Sequence, residues 1–394
     1  MTLFNLPDYL DWPVQFCLFT TAATWLASLI TSNVSQVDRL WTFLPTIYTA
    51  YYALLPLLPN EQPYLLVPYA PKGLRWTSVR DFSPRALLML GVVFTWMCRL
   101  SYNTYRRGLF SLKDEDYRWA VLRKQLHPVL FQITNLTFIA FIQNVLLLLL
   151  GLPTYVASVL QSHTPLTQSD YALAAFALTV LAFEFTADNQ QFAFHAYKHA
   201  YLANFKLNGK GKEDEVVKPY NAQEQWPGAR LAWTPDDARR GFITRGLWRY
   251  SRHPNFACEQ SFWWIITLIP LLSSSPPYLF PGIPALGPFR ITVMPSPEIP
   301  SWDKMTVLNT TILPTLGYLL PALALSSLFF SSTIYTEAIT KSKYTEAYAA
   351  YQTRVGMFTP LETLFKALKL KFLDGEKEKR VESLVWGNSS DKDD

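Results

Sequence analysis

Charge is what this chain has least of: 16% of its 394 residues are Asp, Glu, Lys or Arg, against about 25% in an ordinary soluble domain. Half the residues are hydrophobic and 15% are aromatic, so water is not the only solvent the chain is built for. Cysteine is scarce too. Cys17, Cys98 and Cys258 stand apart, odd in number and without a CxxC pair, so neither a disulfide framework nor a thiolate metal site is implied, and no metal is expected. The N-terminal MTLFNLPDYLDWP lacks a basic leader region and a small-residue cleavage pattern, so the apolar run it opens is expected to stay as a span. No GxGxxG occurs, which removes the Rossmann route to a dinucleotide. No internal repeat is visible.

The charge that is present is segregated into a few loops and the tail. Between them lie apolar stretches, each near the length of roughly 20 residues that a helix needs to cross a hydrocarbon core. They run over 13–31, 40–58, 86–100, 129–150, 171–186, 256–272 and 311–332. The fold class predicted is an all-α, multi-span helical membrane protein with about seven transmembrane helices. The net charge of +5 and pI near 8.9 arise from Lys and Arg flanking the apolar runs, so they read as topology signals and not as a nucleic-acid surface.

Orientation follows from those cations. The 99–124 loop carries Arg106, Arg107, Lys113, Arg118 and Arg123, and the 198–252 loop carries Arg239, Arg240, Arg245 and Arg249. Both are expected in the cytosol, whereas the 152–170 loop, without Lys or Arg, is expected in the lumen. This places the N-terminus in the lumen and the C-terminus in the cytosol of an endoplasmic-reticulum-type membrane. The loop with Lys72, Arg75, Arg80 and Arg85 argues the other way. On this topology the sequon at Asn309 faces the lumen, and those at Asn33 and Asn388 face the cytosol.

Residues 1–360 form the membrane domain, with N-terminal spans over 13–150 and a second half over 171–360. Residues 208–238 read as a polar cytosolic insertion, 273–308 as a Pro-rich lumenal loop, and 361–394 as a charged cytosolic tail, disordered beyond Asp374.

Three clusters could carry chemistry. In FEFTADNQQFAFHAYKHAY, Glu184, Asp188, Gln191, His195 and Lys198 are spaced four, three, four and three apart, on one face of a helix leaving the membrane. An ionisable group costs about 2.5–3.5 kcal/mol at the bilayer centre, so such a stripe faces a bundle interior or a watery slot; the plain alternative is pairing near the interface. In GLWRYSRHPNFACEQSFWW, Pro254 opens a helix on which Asn255 and Glu259 lie one turn apart. Arg245, Arg249, Arg252 and His253 beside them could receive phosphate or carboxylate, or simply meet lipid head groups. The third cluster sets Glu337, Tyr344, Tyr348 and Tyr351 on one helical face, where tyrosines also serve as interface anchors.

GLWRYSRHPNFACE, preceded by FEFTADNQQFAF and followed by TEAITKSKYTEAYAAYQTRVGMFTP, resembles the steroid 5α-reductase superfamily, in particular an uncharacterised branch with a domain like the reductases' C-terminal half. The resemblance implies a seven-helix fold holding NADPH between the last three spans, and reduction of a double bond in a steroid, sterol or other lipid. By motif position it implies cofactor binding by Asp188, Asn255 and Glu259, with Arg252, His253, Tyr344, Tyr351 and, after span three, Arg99 as neighbours. Glu184, Gln191 and Arg249 complete the candidate cofactor set. Hydride transfer needs an acid at the carbonyl oxygen; Asp38, in VDRLW, is the candidate.

The chain departs from the reductase pattern at Trp96, where alignment on Arg99 calls for a catalytic tyrosine. Tyr102, one turn beyond Arg99, is the candidate substitute. Two other readings stay open: an S-adenosylmethionine-dependent membrane methyltransferase of the isoprenylcysteine or phospholipid type, which shares the Arg-His-Pro, and a non-catalytic lipid-binding membrane protein.

Overall fold

The structure, a computed structural model, describes residues 6–74, 80–207, 219–279 and 313–387. The Pro-rich loop from residue 280 on and the sequons at Asn309 and Asn388 lie outside them. Among the described residues every regular element is helical. The chain divides into two compact units, residues 1–178 with 262–327, and 179–261 with 328–394.

The first unit opens with α1 (Asp11–Thr31), which stops where Ser32 turns into the left-handed region at φ 52°. The segment predicted as a second span is broken. It forms α2 (Gln36–Leu40) and α3 (Leu44–Ala53), because Pro45 has no N–H to continue the helix through Trp41 and Pro56 stops its continuation. α4 (Pro84–Arg106) starts under the Ser83 hydroxyl, which accepts from Ala86 N–H at 3.3 Å. After α5 (Tyr117–Gln125), a long apolar run combines α6 (Pro128–Thr134), a π-helical stretch over Asn135–Ile142, α7 (Gln143–Leu149), α8 (Leu152–Tyr155) and a second π-helical stretch over Val156–Leu160. α9 (Gln168–Leu207) follows, then α10 (Pro235–Arg240), α11 (Pro254–Leu271), α12 (Leu313–Leu316) and α13 (Leu320–Lys343).

Among the described residues five helices are long and apolar enough to cross a membrane: Asp8–Thr31, Pro84–Arg106, Pro128–Leu160, Gln168–Ala203 and Leu313–Lys343. They correspond to five of the predicted segments. The sixth segment is one continuous helix, α11, with Glu259 in its second turn.

Two of the four cations that argue against the expected orientation, Lys72 and Arg85, have acidic partners. Arg85 is a buried strut. Its Nε and Nη2 donate to the two oxygens of Asp170 at 2.8 and 3.1 Å, with both side chains 1% exposed. Thr167 donates to the same carboxylate through its N–H and hydroxyl. Gln161, bonded by Arg85 through its oxygen, donates its amide N–H groups to the Pro270 and Ser275 carbonyls. Lys72 pairs with Glu61 at the surface. Neither is an unbalanced cation facing lipid head groups.

The tail differs from expectation. α14 (Thr345–Arg354) leads into α15 (Pro360–Leu373), and beyond Asp374, where disorder is expected, the chain forms α16 (Gly375–Trp386). Val381 and Val385 of α16 are buried with Tyr348, Tyr351 and Val355. Charged residues hide the pattern because the apolar positions of α16 are few and spaced by four.

Removing one partner of a buried ion pair strands the other, at about 3–5 kcal/mol. Asp170→Asn is therefore expected to lower the detergent-solubilised protein's melting temperature sharply, and Arg85→Met with Asp170→Leu to recover part of the loss. Equal melting of wild type and Asp170→Asn would show that the pair does not hold this end of the unit.

Candidate functional site

The second unit gathers most of the predicted site residues. On α9, Glu184 and Asp188 are 2% and 3% exposed. Asn255, in the first turn of α11, donates from Nδ2 to Asp188 Oδ1 at 3.2 Å, and its own oxygen accepts from Phe256 N–H at 3.0 Å. Glu259, one turn further along α11, is buried as well. Two helices thus each present a buried carboxylate one turn from a bonded carboxylate–amide pair. Gln191 and Lys198 are half-buried and His195 is exposed, so the α9 stripe runs from buried acids to accessible donors.

The chain entering α11 is held by α9. Gln190, which the spacing argument passed over, donates to the Gly228 carbonyl at 2.9 Å and accepts from Leu247 N–H at 2.9 Å. Gly246 has φ +64°, and a Cβ there would stand 2.5 Å from the Gln190 amide, so only glycine lets the turn approach this closely. Trp248 donates from its indole to the Ala187 carbonyl at 3.2 Å. The described part of the polar insertion is docked by these bonds: Trp233 packs with Phe194, Ile243 and Trp248, and α10 carries a capping box between Thr234 and Asp237. Burial pushes the Asp237 carboxyl up, but bonds from Arg240, the Thr234 backbone and Arg245 outweigh it and hold it below the usual range.

Arg252 and His253 are directed inward. Arg252 grips Glu337 of α13 through Nε at 2.6 Å and Nη2 at 3.1 Å, and its Nη1 donates to the Val355 carbonyl. His253 Nε2 lies 2.9 Å from Glu337 Oε1, and Gln352 donates to Glu337 Oε2 at 2.8 Å. Burial lowers the His253 imidazole against the opposing pull of Glu337, which favours the neutral ring. Tyr351, read from the resemblance as a cofactor neighbour, is buried with its hydroxyl on the Trp248 carbonyl. Tyr344 lies against Gly241, whose φ of +84° and missing Cβ make room for the ring. These four side chains hold the loop in place. Arg249 alone among the loop cations on the candidate list is exposed, its guanidinium 4.8 Å from the Trp386 ring.

Arg99, Tyr102 and Asp38 belong to the first unit. Trp96 is wholly buried, stacked on Phe262 and edge-on to Trp263 at 6.2 and 5.0 Å. Tyr102 is half-exposed under Arg106. At about 100° per residue, six residues put it about 120° around the helix from Trp96, so it does not present its hydroxyl where the indole stands. Arg99 is buried. Asp38 accepts from the Trp119 indole at 3.0 Å, and burial raises its carboxyl, which favours the protonated acid. Among the described residues no His, Cys, Asp and Glu group could hold a metal.

A helical protein with apolar helices of membrane-spanning length, and a buried acid–amide cluster in one of its units, is the class these observations define. The chain belongs to the family described as a protein of unknown function, DUF1295, which matches residues 24–282. It is 28% identical over 336 residues to an uncharacterised protein of Schizosaccharomyces pombe, covering 85% of this chain and 75% of that one. No solved structure matches.

The His253 proton has a measurable sign. Its folded value is depressed below the ordinary 6.5, so the stabilisation is full above pH ~6.5 and is lost as pH falls towards the folded value, while the unfolded chain takes up the proton. Melting temperature is expected to drop between pH 7 and 5 more steeply in wild type than in His253→Gln, which keeps a donor towards Glu337 without titrating. Superimposable profiles would remove His253 from the account.

Proposed function

We propose that this protein is a membrane-embedded, NADPH-dependent reductase acting on a double bond of a steroid, sterol or other lipid. The observation that supports it best is the Asp188–Asn255 bond between α9 and α11, flanked by buried Glu184 and Glu259. Such a cluster offers donors and acceptors to a carboxamide, as the nicotinamide end of the cofactor requires. Asp188, Asn255 and Glu259 would hold that end, and exposed Arg249 would meet phosphate. Arg252 and His253, engaged by Glu337, act by fixing where α11 begins. The cofactor supplies the hydride when bound. Asp38, whose carboxyl is raised by burial, is the proposed proton donor for the substrate carbonyl.

The wholly buried Trp96 favours a second reading, in which the fold binds a lipid without reducing it. The S-adenosylmethionine-dependent methyltransferase is the third, and the same binding experiment separates all three. In the purified protein, NADPH is expected to quench tryptophan emission with energy transfer to the reduced nicotinamide. Asn255→Ala is expected to weaken this binding roughly tenfold, the loss of about one hydrogen bond. A response to S-adenosylmethionine alone would move the assignment to the methyltransferase, and no response to either, in natively folded protein, to the lipid-binding protein.

The orientation proposed is N-terminus lumenal and C-terminus cytosolic in the endoplasmic reticulum, supported by the 99–124 and 198–252 cations and by the internal pairing of Arg85. Asn33, on the cytosolic side in this arrangement, is buried and donates to the Leu112 and Asp114 carbonyls at 3.0 and 2.9 Å, leaving no room for sugar. Asn388 is expected to carry no glycan when the protein is made in a glycosylating membrane; a glycosidase-sensitive mass shift lost in Asn388→Gln would reverse the orientation.

A further inference from the structure

α15, PLETLFKALKLKFL, has two apolar faces, and only one of them meets protein. The inner face carries the buried Thr363 and Leu370. It is fixed: the Thr363 hydroxyl donates to the Tyr250 carbonyl at 2.6 Å and accepts from Gly356 N–H at 2.8 Å, and Glu362 accepts from Met357 N–H at 2.8 Å. The helix therefore cannot roll to hide its outer face. On that face Leu361, Phe365 and Phe372 are 61%, 64% and 78% exposed, together with Leu364 and Leu368. With about 100° between successive residues these five fall within an arc of about 100°. Lys366 and Lys369 stand on one side of the arc and Lys371 on the other. A shallow hollow of about 350 Å³ lies on the flank of this face, between Leu361, Phe365 and Lys369 on one side and Glu362 and Lys366 on the other.

We infer that α15 is an in-plane membrane anchor, its outer face sunk among the head groups and upper acyl chains of the bilayer that the spans cross. Two features favour lipid over a protein partner or a second copy. Lys369 on one flank of the apolar arc and Lys371 on the other can each extend to the phosphate layer while the stem covers hydrocarbon, whereas Lys366 is held inward on the Gln352 and Val355 carbonyls. Position gives the second: α13 ends at Lys343 and α15 begins at Pro360, with α14 between. Gln352 of α14 donates to Glu337 of α13 at 2.8 Å and its carbonyl accepts from Lys366 of α15 at 3.0 Å, so α15 lies close to the end of the last span. A face this apolar, held near a bilayer and turned outward, is stabilised when lipid removes its apolar surface from water.

The test uses the full-length protein in lipid nanodiscs containing phosphatidylcholine and phosphatidylserine. Phe365→Cys and Phe372→Cys are reacted with a water-soluble maleimide polymer, with Lys379→Cys on exposed α16 as the reference and the unsubstituted protein as the blank for Cys17, Cys98 and Cys258. Both outer-face thiols are expected to react at least about tenfold more slowly than the reference, since a thiol in hydrocarbon does not form thiolate. Reaction within about twofold of Lys379→Cys would overturn the inference. Protection that disappears in discs holding one copy each would assign the face to a second copy and overturn it equally. The substituted side chains point outward, and an unchanged melting temperature confirms that each variant is folded.

Discussion

The second unit depends on one carboxylate. Glu337, on a helix long and apolar enough to cross a membrane, receives both arms of Arg252, the imidazole of His253 and the amide of Gln352. A lone carboxylate there would cost several kcal/mol in lost solvation, and one met by a bidentate guanidinium and two further donors does not. Because Arg252 and His253 are adjacent in sequence, the same carboxylate fixes the residue before Pro254. Backbone bonds from Arg252 N–H to Gly356 O at 2.9 Å and from His253 N–H to Met357 O at 3.1 Å lock the remaining freedom. The start of α11 is set by these contacts, and with it the reach of Asn255 to Asp188.

That chain of dependence reassigns the charges of the Arg-His-Pro segment. As a string of residues it looks like a cationic landing place for an anion. Folded, Arg245 is paired with Asp237 at 2.6 Å, and Arg252 and His253 both meet Glu337. A buried guanidinium needs partners for its donors, and Arg252 makes four bonds inside the protein, to Glu337, Gln352 and Val355. The cation left at the surface is Arg249, which shares the face of Trp386 with Arg354, at 4.8 and 5.1 Å. The Trp386 indole in turn donates to the Thr244 carbonyl at 3.1 Å. α16 is thereby tied to the loop that carries the site residues.

Periodicity made much of this legible. The five apolar helices emerge because length and hydropathy are local properties, and the α9 stripe emerges because a helix repeats every 3.6 residues. Asp188 and Asn255 were both readable, but their bond was not, since nothing in either segment encodes a partner 67 residues away. Gln190 was missed because it lies off the stripe, on the side of α9 that binds the 228–248 chain. Its only trace in sequence is Gly246, whose need for a positive φ is invisible until the turn is seen. Glu337 was noticed as one member of a face, yet an acid inside an apolar run asks for a buried cation, and Arg252 was the available one. The second span failed for a local reason, Pro45, which outweighs the apolar composition around it.

Trp96 shows how far a single position can carry a functional argument. Its indole fills the space between Phe262 and Trp263 in a close-packed aromatic cluster, so a smaller side chain there would leave a void and a phenol would need a partner for its hydroxyl. The residue is thus a packing solution in its own right, and its presence does not require that chemistry has been lost. A proton donor for reduction has to be an acid that holds its proton more firmly than an ordinary carboxyl, and burial shifts Asp38 in that direction without help from position 96. The reductase reading consequently rests on whether Asp188, Asn255 and Glu259 receive a carboxamide, and not on the absence of a tyrosine.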